Sequence, residues 1–148
     1  MAAVLTTLWF SLSVVLSSVG FVSTAHAAEA TDITVEDGFV RLPPPGSPAA
    51  AYFTLKNNGA DRSLVAATCR CAEMTMIHET VANDGIARMR HVDNAALPRG
   101  GELVLRPGGM HVMMMRLQAP LKEGDTVNLT LRFADGDTLA LQLPVQVR

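Results

Sequence analysis

Several features that would point to common protein classes are scarce in this 148-residue chain. Aromatic residues make up 5%, and the formal net charge is −2 with no block of like charges. A nucleic-acid-binding protein usually shows a basic stripe and stacking aromatics, so we expect no nucleic-acid partner. Only two cysteines occur, which excludes the disulfide framework of a small secreted domain. There is no glycine-rich phosphate loop, nucleophile elbow or obvious acid–base pair, so we expect no enzymatic activity.

The first part of the chain has the composition of a targeting segment. Residues 2–22 carry no charge, and the run 4–21 is rich in Leu, Val, Phe and Ser. It ends in Ala25-His26-Ala27, the small-x-small pattern of a cleavage site. No Lys or Arg follows Met1, which leaves an uncleaved anchor as the alternative, since ~20 apolar residues can span a membrane. We predict a signal peptide over residues 1–27 and one exported domain over residues 28–148, without stable membrane insertion after cleavage.

The remainder of the chain predicts an all-β fold. Short apolar or alternating runs are separated by turn signals rich in Gly, Pro, Asn and Asp, and no segment has a convincing helical period. About nine strands are expected, over residues 33–42, 50–56, 63–67, 74–80, 86–92, 102–105, 110–117, 127–133 and 138–147. Many short strands at this spacing are typical of a two-sheet sandwich or a barrel.

Methionine is unevenly distributed. Eight methionines occur; one is Met1, and the other seven all lie between residues 74 and 115. Methionine that only fills gaps in a core should be scattered, so the clustering asks for another explanation.

Strand geometry predicts a His–Met pair at the first hairpin. A two-residue loop at Asn83-Asp84 would pair His78 with Met89 across the ladder, because paired residue numbers in an antiparallel hairpin have a constant sum.

A second His–Met pair follows in a later strand. In the strand after the turn 106–109, His111, Met113 and Met115 share one face because side chains alternate. The sequence geometry alone does not show whether this pair and His78–Met89 meet.

Two imidazoles and two thioethers would form a soft, uncharged set of metal ligands. Soft sulfur ligands select Cu(I), whereas Cu(II) prefers tetragonal nitrogen and oxygen donors. Thioethers suit an oxidising compartment, where free thiols tend to form disulfides. Only the two histidines couple such a site to pH, so acid should weaken binding as they protonate.

These residues resemble the signature of the PCu(A)C-type periplasmic copper chaperones, which is His, ten residues, Met, twenty-one residues, then His-x-Met. Here ten residues separate His78 from Met89, and twenty-one separate Met89 from the segment His111-Val112-Met113. The segments 50–55, 105–109 and 122–125 also resemble the family, so the resemblance covers about residues 33–147. It implies a cupredoxin-like Greek-key β-sandwich that binds Cu(I) through His78, Met89, His111 and Met113.

Other residues near this pattern have less clear roles. The pair Cys69 and Cys71 departs from the family pattern; we expect an oxidised or structural pair, with copper chemistry as the alternative. Two residues apart in a strand, their Cα atoms would be about 6.5 Å apart, near the upper limit for a disulfide. His91 is expected to be exposed. Five methionines are expected to pack or to line the site, with a second soft site as the alternative for the first two: Met74, Met76, Met110, Met114 and Met115.

The resemblance implies a copper chaperone that delivers Cu(I) to respiratory oxidases, especially to the dinuclear copper centre of cytochrome c oxidase. Its partners would then be the copper-accepting oxidase subunit or its assembly proteins, and the protein itself is expected to be a monomer. Two alternatives remain. One is a copper-independent assembly or interaction module of the envelope. The other is an electron-transfer cupredoxin, which would need a cysteine thiolate beside its histidines.

Overall fold

The computed structural model describes residues 29–148, so the predicted signal segment and its cleavage site lie outside the described residues. This part of the chain contains ten β-strands and no helix, and therefore no helix able to span a membrane. The strands are β1 Ile33–Arg41, β2 Ala49–Asn57, β3 Arg62–Cys69, β4 Ala72–Asn83, β5 Ile86–His91, β6 Ala95–Leu97, β7 Glu102–Leu105, β8 Met110–Leu117, β9 Thr126–Phe133 and β10 Thr138–Gln146. The predicted all-β, cupredoxin-like sandwich is confirmed. The additional strand is β6, whose three residues are too few to show alternation.

The strands form two sheets joined along one edge. The first sheet has the order β5-β4-β8-β2-β1, with β7 also paired to β2, and the second has the order β10-β9-β3-β6. A short parallel pairing of β1 with β10 at Val40 and Val145 connects them. Three hairpins stay within one sheet, β1–β2, β4–β5 and β9–β10, whereas links such as β2–β3, β3–β4 and β8–β9 cross between sheets.

The core fills the space between the sheets, and strand alternation explains which residues enter it. In β9 and β10 every second residue is buried, and the intervening residues are mostly exposed. Phe53, Ile77 and Val112 of the first sheet face the second sheet. There they belong to one contiguous core cluster with Leu131 and Phe133. An apolar face of period two is what a half-buried antiparallel strand requires.

A charged cluster ties β3 to the β9–β10 turn. The Arg62 guanidinium donates to Asp32 Oδ1 at 3.0 Å and to Asp137 Oδ2 at 2.9 Å, and it also contacts Asp135. The hydrogen bond from Arg62 to Asp137 is the main reason that the pKa of Arg62 is raised above its ordinary value. These contacts fix the end of the second sheet in place.

Candidate metal centre

The pairing of β4 with β8 brings the two predicted halves of the site together. Cα partners across this ladder are His78 with His111, Met76 with Met113, and Met74 with Met115. Ile77 and Val112 between them are 1% and 0% exposed and point into the core. The paired His and Met side chains therefore lie on the opposite, outer side of the first sheet. We call these six residues the Met–His face.

The two imidazoles of this face are close neighbours. Their ring centroids lie 6.1 Å apart with the rings nearly perpendicular, at 86°. Ring nitrogens bind transition-metal ions at about 2 Å, so two rings at this separation can reach one ion. This juxtaposition of His78 and His111 is what the sequence geometry alone did not show.

The tautomer of His111 is fixed by its backbone contact. His111 is 4% exposed, and its Nδ1 lies 3.1 Å from the carbonyl oxygen of Gly109. A carbonyl oxygen only accepts hydrogen bonds, so Nδ1 must carry the proton and donate it. The lone pair is then on Nε2, the arrangement that metal-binding histidines commonly use. The Tyr52 ring, 6.2 Å from the His111 ring, packs on this side of the site.

His78 has a buried ring nitrogen without a hydrogen-bond partner. No described residue hydrogen-bonds to its Nδ1, which is shielded from solvent. Burial lowers the pKa of His78 below its ordinary value, and the neighbouring His111 and His91 lower it further. These effects favour the neutral imidazole, the form that binds metals. An unpaired buried nitrogen is unfavourable unless a ligand satisfies it.

The predicted register of the β4–β5 hairpin is wrong: the partner of each β4 residue lies two positions further along β5 than predicted. Its two-residue loop is Asp84-Gly85, with φ of 50° and 76°, rather than Asn83-Asp84. A type I′ turn needs positive φ at both central positions, and Gly adopts the second more easily than Asp does. His78 is consequently paired with His91, and Met89 is paired with Thr80.

This register changes the surroundings of His78. The His91 ring lies 5.9 Å from the His78 ring, and its Nε2 contacts Asp93 Oδ1 at 3.1 Å. As expected, the His91 side chain is exposed, at 47%. Met89 is 60% exposed and diagonal to His78, a position from which a long side chain can still reach across the ladder. Sequence reasoning thus missed the neighbour directly opposite His78, although the Asp84-Gly85 dipeptide indicated the register.

The methionines divide between the core and the outer side of the sheet. Met114 is fully buried, and Met110 packs against the core. Met115, expected to pack or to line the site, is paired with Met74 on the Met–His face. Five of the seven methionines therefore face outward in the first sheet, which accounts for their clustering in sequence: Met74, Met76, Met89, Met113 and Met115.

The two cysteines form a disulfide with each other. Their Cα atoms are 5.2 Å apart, closer than the about 6.5 Å expected within a strand, because Cys71 lies in the turn after β3 rather than in a strand. Cys71 Sγ also lies 3.7 Å from Met114 Sδ, on the core side of the first sheet. The oxidised pair offers no thiolate as a metal ligand.

Conventional hard or mixed ligand sets are not assembled here. Among residues 29–148, no three His, Cys, Asp or Glu side chains lie close enough to hold a metal ion. Thioethers beside the His78–His111 pair are further donors that could complete a metal centre there. Met113, Met76 and Met89 are the methionines next to this pair in the register.

Residues 33–145 match the family described as "Putative lipoprotein LpqE-like". The chain belongs to this family. A relative from Leifsonia xyli subsp. xyli, "Putative lipoprotein Lxx21020", is 36% identical over 120 residues, which is 80% of this chain and 72% of the relative.

Several solved structures, PCuAC domains among them, share the fold. The solution structure of CuI-DR1885 from Deinococcus radiodurans has a TM-score of 0.61 and 36% identity, and the match covers 84% of this chain and 83% of that protein. The copper-bound PCuAC domain from PmoF2 has a TM-score of 0.67 over 83% of this chain and 99% of that domain, with 19% identity, and bears on the fold alone. The resemblance to the copper chaperones is thus confirmed for the fold, in a related family.

Proposed function

We propose that this protein is a copper carrier that binds one Cu(I) through His78, Met89, His111 and Met113. The observation that carries the proposal is the β4–β8 register, which places both imidazoles and Met113 on one outer face. The similarity to DR1885, whose Cu(I) form has been solved, supports the choice of metal. Two neutral imidazoles and two thioethers match the preference of Cu(I) for soft, uncharged donors.

The surroundings of the proposed site favour exchange over permanent storage. His111 is buried and held by the Gly109 carbonyl, while Met89 is 60% exposed on the edge strand β5. One side of the ion would be fixed by the fold, and the other would be open to a partner's ligands. A carrier that releases its ion by ligand exchange needs this asymmetry. Carrying and transferring an ion requires no catalytic group, so the role is that of a chaperone rather than an enzyme.

We further propose that the protein acts after export, in the periplasm. The family and the Leifsonia relative are both described as lipoproteins, which are exported proteins. The Cys69–Cys71 disulfide also fits an oxidising compartment. The acceptor we propose is a respiratory oxidase copper centre, especially the dinuclear copper site of cytochrome c oxidase, reached directly or through its assembly proteins.

The test has two stages, both on the exported protein under anaerobic conditions. First, competition with a coloured Cu(I) chelator should give one tight Cu(I) per chain. Second, mixing with the isolated, copper-free dinuclear copper domain should transfer Cu(I) to it. One-electron oxidation of the separated, copper-filled domain with ferricyanide should then produce its purple mixed-valence absorption. If the apo protein and the copper-loaded protein promoted copper filling of the domain equally well, the copper-independent assembly module would be favoured instead.

The electron-transfer alternative has less support than the carrier. Such sites need a cysteine thiolate beside two histidines, and both cysteines of this chain are joined to each other. An intense blue colour on adding Cu(II) would revive it.

A further inference from the structure

Three methionines of the Met–His face take no part in the site proposed above. Met74 and Met115 are directly paired across β4 and β8, and Met76 lies two residues along β4 from Met74, on the same face. None of them packs with the core cluster. Met74 is 37% exposed, and Met76 and Met115 are half-buried.

Core packing does not explain these side chains. The chain places its packing methionines elsewhere: Met114 is fully buried, and Met110 lies against the core. The outer side of the second sheet, at the equivalent exposed positions of β9, carries Thr126, Asn128 and Thr130. Three neighbouring thioethers on a solvent-facing sheet surface are thus a local departure from the pattern that the rest of the fold follows.

We propose that Met74, Met76 and Met115 form a second site for a soft monovalent ion, Cu(I) or Ag(I). Directly opposed residues in an antiparallel ladder have Cβ atoms about 4.5–5.5 Å apart, and same-face neighbours along a strand are about 7 Å apart. Methionine has three rotatable bonds beyond the backbone, so the three sulfur atoms can converge on one ion. Neutral thioethers select soft ions over Zn²⁺, Mg²⁺ and Ca²⁺, which prefer nitrogen, thiolate or oxygen donors.

This site is expected to fill after the His78–His111 site. It has no imidazole, so its affinity should be lower. It includes Met76, the direct partner of Met113 across the ladder, so it is a neighbour of the first site on the same face. The inference depends on the thioether cluster alone and does not require the delivery role proposed above.

The experiment is an Ag(I) titration of the protein labelled with ¹³C at the methionine methyl groups, followed by NMR. Ag(I) mimics Cu(I) and does not oxidise. The first equivalent should shift the methyl signals of Met89 and Met113, and the second should shift those of Met74, Met76 and Met115. In the triple variant Met74→Leu, Met76→Leu, Met115→Leu the second equivalent should be lost. Leucine keeps the apolar volume and removes the sulfur, so folding should be retained.

The control is the variant Met110→Leu. Met110 is half-buried on the core side of β8, the strand that carries Met115, so this variant should still bind two ions. One ion per wild-type chain, shifting only Met89 and Met113, would overturn the second site and leave the proposed function standing. A second ion that persists in the triple variant would place it elsewhere and would also overturn the inference. In the variant His78→Ala, His111→Ala, the tight ion should be lost, and Ag(I) should still shift Met74, Met76 and Met115; if those signals no longer move, the site is not independent and the inference fails.

Discussion

The two outer faces of the sandwich have the same backbone geometry and different chemistry. On the second sheet, the exposed residues of β9 and β10 are of the kind that any solvated strand carries: Thr126, Asn128, Thr130, Arg132, Ala140, Gln142 and Pro144. On the first sheet, the corresponding positions of β4 and β8 carry the two histidines and four methionines of the Met–His face. Folding requires only that one side of each strand be apolar, so the outer side is free to differ. The histidines and methionines of the Met–His face are therefore not required by the fold, which supports the proposed binding role.

The largest expected effect is on stability and belongs to the core. Phe133→Ala should lower the free energy of unfolding by about 3–5 kcal/mol, since a large, fully buried ring leaves a cavity. Urea denaturation measures this, and Thr130→Ala, on the exposed side of the same strand, should change it by less than about 0.5 kcal/mol. A loss of Cu(I) affinity in folded Phe133→Ala as large as that in the ligand variants would contradict the independence of core and outer face.

The next largest effect is the loss of Cu(I) affinity on replacing the buried histidine, His111. His111→Asn should weaken Cu(I) binding by roughly 100-fold, at least as much as the loss of an orienting partner at a metal site. The matched control is His91→Asn on the neighbouring strand, which should change affinity only a few-fold because His91 is outside the proposed ligand set. Equal losses in the two variants would mean that His91 is a ligand and that the proposed set is wrong.

A smaller effect separates two adjacent methionines. Met113→Leu should reduce Cu(I) affinity about tenfold, equivalent to about 1.4 kcal/mol, by removing one thioether. Met114→Leu, one residue along and fully buried, should leave affinity unchanged. Both swaps keep apolar volume and should cost less than about 1.5 kcal/mol in stability. Chelator competition on the two purified variants measures their Cu(I) affinities. A loss of affinity in Met114→Leu but not in Met113→Leu would contradict the assignment of Met113 as the ligand.

The smallest effect concerns pH. The pKa of His78 lies below its ordinary value because of burial and the neighbouring His111 and His91. As pH falls below about 6.5, the unfolded chain protonates this side chain before the folded apo protein does. The apo protein should therefore lose stability from that pH downward until the pH passes the lowered pKa, and His78→Asn should reduce the loss. An NMR titration that finds the His78 pKa at or above the ordinary value would refute this.

Much of the fold followed from the sequence because it depends on local patterns. Alternation identified nine of the ten strands, and it placed His111, Met113 and Met115 on one face. Only β6, with three residues, was missed. These features need information only from neighbouring residues, and turn residues such as Gly85 and Gly108 adopt positive φ where the chain reverses.

The site was harder to predict from the sequence because it depends on pairing between distant strands. Nothing within residues 74–80 or 110–117 specifies that His78 lies opposite His111, since that register is set by core packing across the sheet. The hairpin register failed for a local reason: a shift of the turn by one residue moved the partner of His78 from Met89 to His91. The Cys69–Cys71 pairing likewise depended on the turn that brings the two Cα atoms closer than a strand would.

The central claim is that one Cu(I) is held by His78, His111, Met89 and Met113. X-ray absorption of the protein loaded with one equivalent of Cu(I) tests it most directly. The account predicts two nitrogen and two thioether sulfur neighbours, with one nitrogen lost in His111→Asn. An all-sulfur shell, or an unchanged spectrum in that variant, would contradict it.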